Sequence, residues 1–319
     1  MPVVLGVCVA LAVGVFGPGG HTASAPASPS ADRYVDIEAV PATAVPADGP
    51  DASEGSFTED CGRNENGHRN ADNLVISPGL TGGAHHVHDY VGNVVTDALS
   101  TNEGLAAAST TCVGGDRSTY YWPVLRRLDR TGDDAHAVGG GIDGNTGEIL
   151  LASSVRVEFR GSPTSQVVAM PRFLRMVTGD PVAATVNEPG RVRAQWGCSG
   201  YAERFTVQYT LCPEGSGPTR TLDFPSCWDG LSTDSADHRS HVVFPAVNGV
   251  CPRATFAVPQ LRITLTYDVP HDVRYAVDSF PEQKRDPVTD HGLFVNVMTD
   301  RRMEQLVSCV NEGRHCRPE

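Results

Sequence analysis

Alternation of apolar and polar residues along the chain indicates β-strands. Residues 155–159, 205–209 and 261–267 alternate with a period of two, which places every second side chain on the same face of a strand. Shorter apolar runs at 242–244 and 293–297 are also typical of strands. These segments predict a chain dominated by β-structure.

Helical patterns are few. Residues 97–108 and 301–310 each predict one short helix, and the 33 glycines and 23 prolines separate the apolar runs at short intervals. Together these features predict a mainly β protein: an antiparallel β-sandwich, jelly-roll-like, with long loops and few short helices.

The N-terminal segment predicts export. Residues 3–16 form an apolar and small-residue run that is shorter than the roughly 20 residues of a membrane span. A small-residue cleavage site follows at Ala23-Ser24-Ala25. We therefore predict a signal peptide at 1–25, a disordered linker rich in Pro, Ala and Ser at 26–57, and a single β-rich domain at 58–319.

The cysteines agree with a secreted, extracellular location. Without Cys8, which lies in the predicted signal peptide, 8 of the 9 cysteines remain, and no Cys-x-x-Cys pair is present. An even number in an exported chain indicates disulfides, although eight cysteines permit 105 connectivities. Pairing of neighbours is our hypothesis: Cys61–Cys112, Cys198–Cys212, Cys227–Cys251 and Cys309–Cys316.

The net charge limits the class of partner. At −13, with an isoelectric point near 5.2, the chain lacks the basic surface that nucleic acid requires. The same charge argues against attraction to anionic membranes, so we expect no membrane association after signal removal.

Two segments about 150 residues apart carry the candidate chemistry. The first contains His86, His88 and Asp89, and the second contains Asp237, His238 and His241. If the fold brings them together, the histidines His86, His88, His238 and His241 are suited to zinc, copper or manganese. The alternative interpretation is a packed polar network in which these histidines only donate and accept hydrogen bonds.

Acid–base chemistry on a polymer is a further possibility. Hydrolysis of a glycosidic bond usually needs two carboxylates, whereas elimination from a uronic-acid polymer needs a base and a cation. The catalytic candidates are His86, His88, Asp89, Asp237 and His241. The substrate-binding candidates are Tyr121, Trp122, Arg175, Trp228 and Asp229.

Several ordered motifs resemble the DUF1996 family, a secreted fungal and actinobacterial domain of undefined function. The resemblance runs from about residue 76 to residue 309. It implies a glycan partner, because some fungal relatives also carry carbohydrate-binding modules. The motifs that carry it are Ser77-Pro78-Gly79, His86-Val87-His88 with Gly92, Tyr120-Tyr121-Trp122-Pro123, Arg175-Met176-Val177-Thr178-Gly179-Asp180, the block from Phe224 to Val242, and Val258-Pro259-Gln260-Leu261.

One motif departs from the family pattern. Phe294 and Asn296 stand where the family has a histidine and an aspartate, and His291 lies three residues before Phe294. The departure puts the family's activity in doubt for this chain. His291 could compensate from a shifted position, but it is not among the ligands expected here.

The resulting prediction is a secreted protein that acts on extracellular polysaccharide or cell-wall glycan at a cleft rich in His and Asp. Glycoside hydrolysis is the first choice of reaction and polysaccharide lyase chemistry the second. The alternatives are a non-catalytic carbohydrate-binding protein and a protein that binds a metal through histidines.

Overall fold

The computed structural model describes residues 28–186 and 188–318, so the predicted signal peptide lies outside the described residues. Within them the chain forms 19 strands, two α-helices and six short 3-10 helices. The strands are β1 (Tyr34–Asp36), β2 (Ser56–Glu59), β3 (Arg69–Asn70), β4 (His88–Gly92), β5 (Thr119–Pro123), β6 (Leu125–Arg127), β7 (Glu148–Leu150), β8 (Ser154–Arg160), β9 (Arg175–Gly179), β10 (Trp196–Cys198), β11 (Tyr209–Leu211), β12 (Pro218–Asp223), β13 (Cys227–Trp228), β14 (Val242–Val243), β15 (Phe256–Ala257), β16 (Gln260–Thr266), β17 (Tyr275–Val277), β18 (His291–Val295) and β19 (His315–Cys316).

The helices are short. The α-helices are α1 (Asn102–Ala107) and α2 (Asp300–Asn311); the 3-10 helices are Ala31–Arg33, Ile37–Ala39, Gly141–Asp143, Pro189–Arg191, Pro281–Gln283 and Pro287–Thr289. Helix α2 begins after Thr299, whose side chain accepts the N–H of Arg302, and it buries Met303, Leu306 and Val310 along one face. Among the helices of the described residues, none is long and apolar enough to cross a membrane.

Two larger sheets form a sandwich. One has the strand order β10-β12-β16-β8-β2-β19 and the other the order β3-β4-β5-β18-β9. Pairing is antiparallel throughout, apart from β19 beside β2. The main core lies between the sheets, where the Phe159 ring of the first is 6.5 Å from Tyr120 and 6.0 Å from Phe294 of the second. The predicted mainly β, antiparallel sandwich is confirmed.

The five-stranded sheet also buries its outer face. Tyr90, Tyr121 and Leu293 lie in a second apolar cluster with Leu74 and Leu105, which belong to covering loops and α1. Because side chains alternate along a strand, His88 shares this outer face with Tyr90, and His291 shares it with Leu293. Loops rather than solvent therefore surround these two histidines.

The predicted linker is wrong for the part that the structure describes. Strand β1 pairs with β11 in parallel, and Tyr34 and Ile37 are buried. The Tyr34 hydroxyl donates to the Tyr275 carbonyl at 2.6 Å. A few well-placed apolar side chains thus hold a segment whose average composition indicated disorder.

Two further predictions have contrasting outcomes. The strand expected at 205–209 is wrong, because only a single bridge joins Thr206 to Trp196 and regular pairing starts at Tyr209. The hypothesis on the cysteines is confirmed, with disulfides joining the four neighbouring pairs Cys61–Cys112, Cys198–Cys212, Cys227–Cys251 and Cys309–Cys316.

Candidate functional site

Three buried histidines converge on the outer face of the five-stranded sheet. The Nε2 atom of His86 lies 3.2 Å from Nε2 of His88 and 3.2 Å from Nε2 of His291, and the latter two atoms are 3.5 Å apart. All three side chains are at most 1% exposed. In the described residues, this is the only place where the ring nitrogens of three histidines meet.

Strand register brings His88 and His291 together. His88 pairs with Pro123 across β4 and β5, and continuing the pairing of Leu293 with Tyr121 by two residues places His291 on the other side of Pro123. The two histidines are therefore in register on strands that flank β5.

His86 reaches the same point from just outside β4, because it precedes Val87, the residue before the strand. The Val87 carbonyl accepts the N–H of Val124 at 2.9 Å, which continues the β4–β5 pairing beyond its formal end. His86 and His88 are two residues apart on this extended backbone, so their side chains project from the same face. The His-x-His motif thus supplies two neighbouring donors.

Backbone carbonyls fix two of the three rings. Nδ1 of His88 lies 2.9 Å from the Asp72 carbonyl, and Nδ1 of His291 lies 2.8 Å from the Thr289 carbonyl. A carbonyl only accepts, so each Nδ1 carries the proton and each Nε2 presents a lone pair to the cluster. Nδ1 of His86 has no hydrogen-bond partner among the described residues.

The environment keeps the imidazoles neutral. Burial lowers the pKa of His86 and of His88 well below the usual value, and the neighbouring imidazoles of the cluster lower both further. Burial lowers the pKa of His291 to about 4. Neutral imidazoles with converging lone pairs are suited to metal coordination, because a metal ligand must be deprotonated.

A buried ion pair lies behind His291. The Arg220 guanidinium donates to both carboxylate oxygens of Asp290, with Nη2–Oδ1 at 2.5 Å and Nε–Oδ2 at 3.1 Å, and both side chains are fully buried. Its Nη1 donates to the Pro123 carbonyl at 2.8 Å. The pair thereby connects the residue before His291 to β5, the strand between His88 and His291.

Backbone packing beside His291 requires a glycine. Gly179 pairs with His291 and has φ of +74°, and a Cβ at Gly179 would collide with the Asp290 carbonyl oxygen and the backbone of His291. This glycine belongs to the Gly179-Asp180 motif, which therefore has a packing role next to the site.

The four-histidine set predicted from the sequence is not assembled. His241 is buried, but its Nδ1 lies 2.8 Å from the Ser235 hydroxyl and its Nε2 lies 2.7 Å from the Arg175 carbonyl. His238 lies 2.9 Å from a carboxylate oxygen of Asp234. His241 contacts β9 at Arg175, whereas His291 pairs with Gly179 four residues further, about 13 Å along a strand. The predicted set therefore needs correction: His291 replaces His238 and His241.

The carboxylates of the predicted cleft lie apart from one another, and each already accepts hydrogen bonds from its own surroundings. Asp89 accepts from Asn64 and Arg69 at 2.7 and 2.6 Å, and burial raises its pKa despite these partners. Asp229 accepts two backbone N–H groups of its own turn. Asp237 accepts the N–H and hydroxyl of Ser240 and the Ser235 hydroxyl, which lower its pKa. Each carboxylate orders its local backbone or neighbours.

The predicted substrate-binding side chains contribute mainly to packing. Tyr121 and Trp122 are buried, and Tyr121 accepts the N–H of Val75 at 3.1 Å. Trp228 is half-buried against the main core and donates to the Ser232 carbonyl at 2.7 Å. Arg175 donates to the Leu74 carbonyl at 2.8 Å. Tyr121 packs edge-on against His88 of the cluster, with ring centroids 5.3 Å apart, whereas Trp122 and Trp228 lie with the main core.

His291 is the member of the cluster that the sequence analysis did not include among the candidate ligands. Phe294, which stands where the family has a histidine, is fully buried in the main core. Asn296, which stands where the family has an aspartate, donates to the Pro171 carbonyl at 2.9 Å. The signal that could have found His291 is its position at the start of an apolar run, which placed it on a strand end.

The comparisons with known proteins identify a family. No curated protein and no solved structure matches the chain. The DUF1996 family model, described as a domain of unknown function, matches residues 73–296, a segment that contains all three clustered histidines. Because this match covers most of the chain, the chain belongs to the DUF1996 family.

Proposed function

We propose that this chain is a secreted zinc protein that holds the ion with His86, His88 and His291. The convergence of three neutral Nε2 atoms, with separations of 3.2, 3.2 and 3.5 Å, is the observation that carries the proposal. Nε2 of His88 and of His291 each present a lone pair to the cluster, because their Nδ1 atoms donate to carbonyls, and a cation shared with His86 accounts for three ring nitrogens meeting in a buried site.

The separations favour tetrahedral coordination. A Zn–N distance of about 2.0–2.1 Å in a tetrahedron implies donor separations of about 3.3–3.4 Å, close to the three observed values. Three donors of a square-planar ion at about 2.0 Å would instead include one separation of about 4 Å, which none of the pairs approaches. Among the metals considered from the sequence, zinc therefore fits better than square-planar copper.

The number of ligands favours a reactive site. Structural zinc sites generally have four protein ligands, whereas catalytic sites have three and keep one position for water or a substrate atom. In the described part of the chain, no fourth Cys, His, Asp or Glu joins the cluster. Zinc held there by the three histidines would lower the pKa of a bound water and so supply a nucleophile for hydrolysis.

The substrate and the location are further parts of the proposal. Four disulfides support export to an oxidising compartment. Cleavage of extracellular glycan stays a prediction, and it requires the covering loops to open, because the three histidines are at most 1% exposed. Metal-assisted hydrolysis suits it better than a pair of carboxylates because Asp89, Asp229 and Asp237 are separate. Lyase chemistry has weaker support, since Arg175 is bound to a carbonyl.

The test is metal stoichiometry with a matched histidine control. Protein produced in an oxidising compartment is expected to bind one equivalent of zinc, and His291→Ala is expected to reduce the affinity by at least about 100-fold, because a ligand is lost. His241→Ala also removes a buried histidine, but one outside the cluster, and should retain the zinc. Circular dichroism establishes that both variants fold.

Two results would contradict the proposal. One is folded wild-type protein that binds no stoichiometric zinc or cobalt. The other is zinc binding that depends on His241 and not on His291, which would restore the ligand set predicted from the sequence.

A further inference from the structure

A groove of about 830 Å³ lies on the outer face of the six-stranded sheet, remote from the histidine cluster. Leu261 and Ile263 of β16 point into the main core, so Arg262 between them points outward and lines the groove. The extended segment 43–48 and the loop 245–251 contribute further lining residues. The groove and the histidine cluster thus face away from the core on opposite sheets.

The floor of the groove is a polar array set by strand register. In one row Asp223 of β12 lies beside Arg262 of β16, which lies beside Glu158 of β8. In the next row Gln260 lies beside Arg160. Neighbouring side chains in a row are close enough to act together on one ligand, so the floor offers donors and acceptors in alternation.

Ion pairs hold part of this floor in place. Arg262 donates through Nε and Nη2 to the two oxygens of Asp223 at 2.5 and 2.6 Å, and Gln195 donates to the same carboxylate at 3.1 Å. A guanidinium fixed at two nitrogens keeps its remaining N–H groups in a defined direction. The floor is therefore ordered before any ligand arrives, which reduces the entropy cost of binding.

One cation in the groove is not held in this way. The Arg160 guanidinium lies 3.9 Å from a carboxylate oxygen of Glu158, beyond hydrogen-bond distance, and its side chain is 42% exposed. Its N–H groups are therefore available to a ligand. Arg160 is the residue of the floor whose removal should affect binding without breaking a strong internal contact.

Charge and shape indicate the class of ligand. The lining contains more acidic groups than arginines, which disfavours an anionic polymer; the acidic residues are Asp48, Glu54, Glu158 and Asp223, against Arg160 and Arg262. Apolar side chains of Val45, Phe205 and Val207 also line it. Hydroxyl groups need both donors and acceptors, and sugar rings have apolar faces. The volume lies within the range of about 300–1,000 Å³ for ligand sites.

We infer that this groove binds a neutral oligosaccharide segment, with Arg160, Arg262 and Asp223 as hydrogen-bonding partners of its hydroxyl groups. The site is independent of the proposed zinc site: it lies on another sheet and shares none of its residues. It also differs from the glycan cleft predicted from the sequence, because it contains neither the clustered histidines nor Trp228.

The test is calorimetric binding of three neutral hexasaccharides, cellohexaose, chitohexaose and laminarihexaose, with hexagalacturonate as the anionic comparison. At least one neutral hexamer is expected to bind with Kd below about 1 mM. Arg160→Ala should weaken binding about 10-fold or more, as expected for loss of a hydrogen bond from a charged group. Arg130→Ala is the matched control, because Arg130 is 58% exposed, pairs with Glu148, and neither residue is part of the groove lining. It should change the Kd by less than about twofold, as surface ion pairs contribute little.

Repeating the titration with His291→Ala separates this inference from the zinc proposal. Saccharide binding that persists in His291→Ala supports an independent groove. The inference is overturned if no neutral hexamer binds, if hexagalacturonate binds more tightly than every neutral hexamer, or if Arg130→Ala weakens binding as much as Arg160→Ala. It is also overturned if loss of His291 abolishes saccharide binding in a folded protein.

Discussion

Replacing Arg220 with methionine should destabilise the protein strongly, because it leaves a carboxylate buried without its partner. Arg220 and Asp290 are both fully buried and joined by two short contacts, 2.5 and 3.1 Å. Arg220 also donates to the Pro123 carbonyl at 2.8 Å and to the Tyr267 hydroxyl at 3.2 Å. Arg220→Met removes all four hydrogen bonds while retaining much of the side-chain volume.

The expected loss in the free energy of unfolding is about 3–5 kcal/mol, the usual effect of breaking a buried ion pair from one side. Most of this loss comes from the unpaired Asp290 rather than from the attraction itself. The double variant Arg220→Met/Asp290→Asn removes the buried charge, and it should be about 2 kcal/mol more stable than Arg220→Met.

Urea unfolding with the disulfides intact measures these differences, provided that the variants share the slope of the transition. A loss below about 1 kcal/mol for Arg220→Met would refute the reasoning. So would a double variant no more stable than the single one, since the cost would then not arise from the buried carboxylate.

Three further predictions follow from other parts of the structure. Gly179→Ala should abolish stoichiometric zinc binding, measured by elemental analysis of folded protein, because a Cβ there collides with the Asp290 carbonyl beside His291; full retention of zinc would contradict this. Ile37→Ala should cost about 2–5 kcal/mol in urea unfolding, because Ile37 is fully buried, whereas a disordered linker would give no change. Zinc should remain bound at pH 6 and dissociate as the pH falls towards 4 in equilibrium dialysis, because protons compete for His291 only near its lowered pKa of about 4. In zinc-free protein the shift of His291 alone, from 6.5 to about 4, should lower the unfolding free energy by about 3 kcal/mol as the pH falls from 6.5 to 4, since the unfolded chain takes up the proton first. The lowered pKa values of His86 and His88 should add to this loss; a pH-independent unfolding free energy over this range would exclude the shifts.

Features that depend on short-range constraints were predictable. The alternation at 155–159 and 261–267 matches β8 and β16 to within one residue at each end, because one face of each strand lies on the core. The helix predicted at 301–310 corresponds to α2 (Asp300–Asn311). Cysteines that are near in sequence pair with each other, as the small loops between them allow.

Features that depend on partners distant in the sequence were less predictable. The composition of 26–57 indicated disorder, yet Ile37 is buried and Tyr34 bonds to Tyr275 across more than 200 residues. Alternation at 205–209 indicated a strand, yet no sheet edge there offers regular pairing. Both outcomes depend on partners that are distant in the sequence.

The candidate site shows the same division. The sequence alone determined that His86 and His88 project from one face, because side chains alternate along extended backbone. Only the tertiary structure decided the third donor: β5 lies between β4 and β18 and sets His88 and His291 in register on either side of Pro123. It also placed His241 beside Arg175, several residues along β9 from the cluster. Strand order and register are long-range properties of the folded sheet, so the histidine that completes the site could not be identified from spacing in the chain.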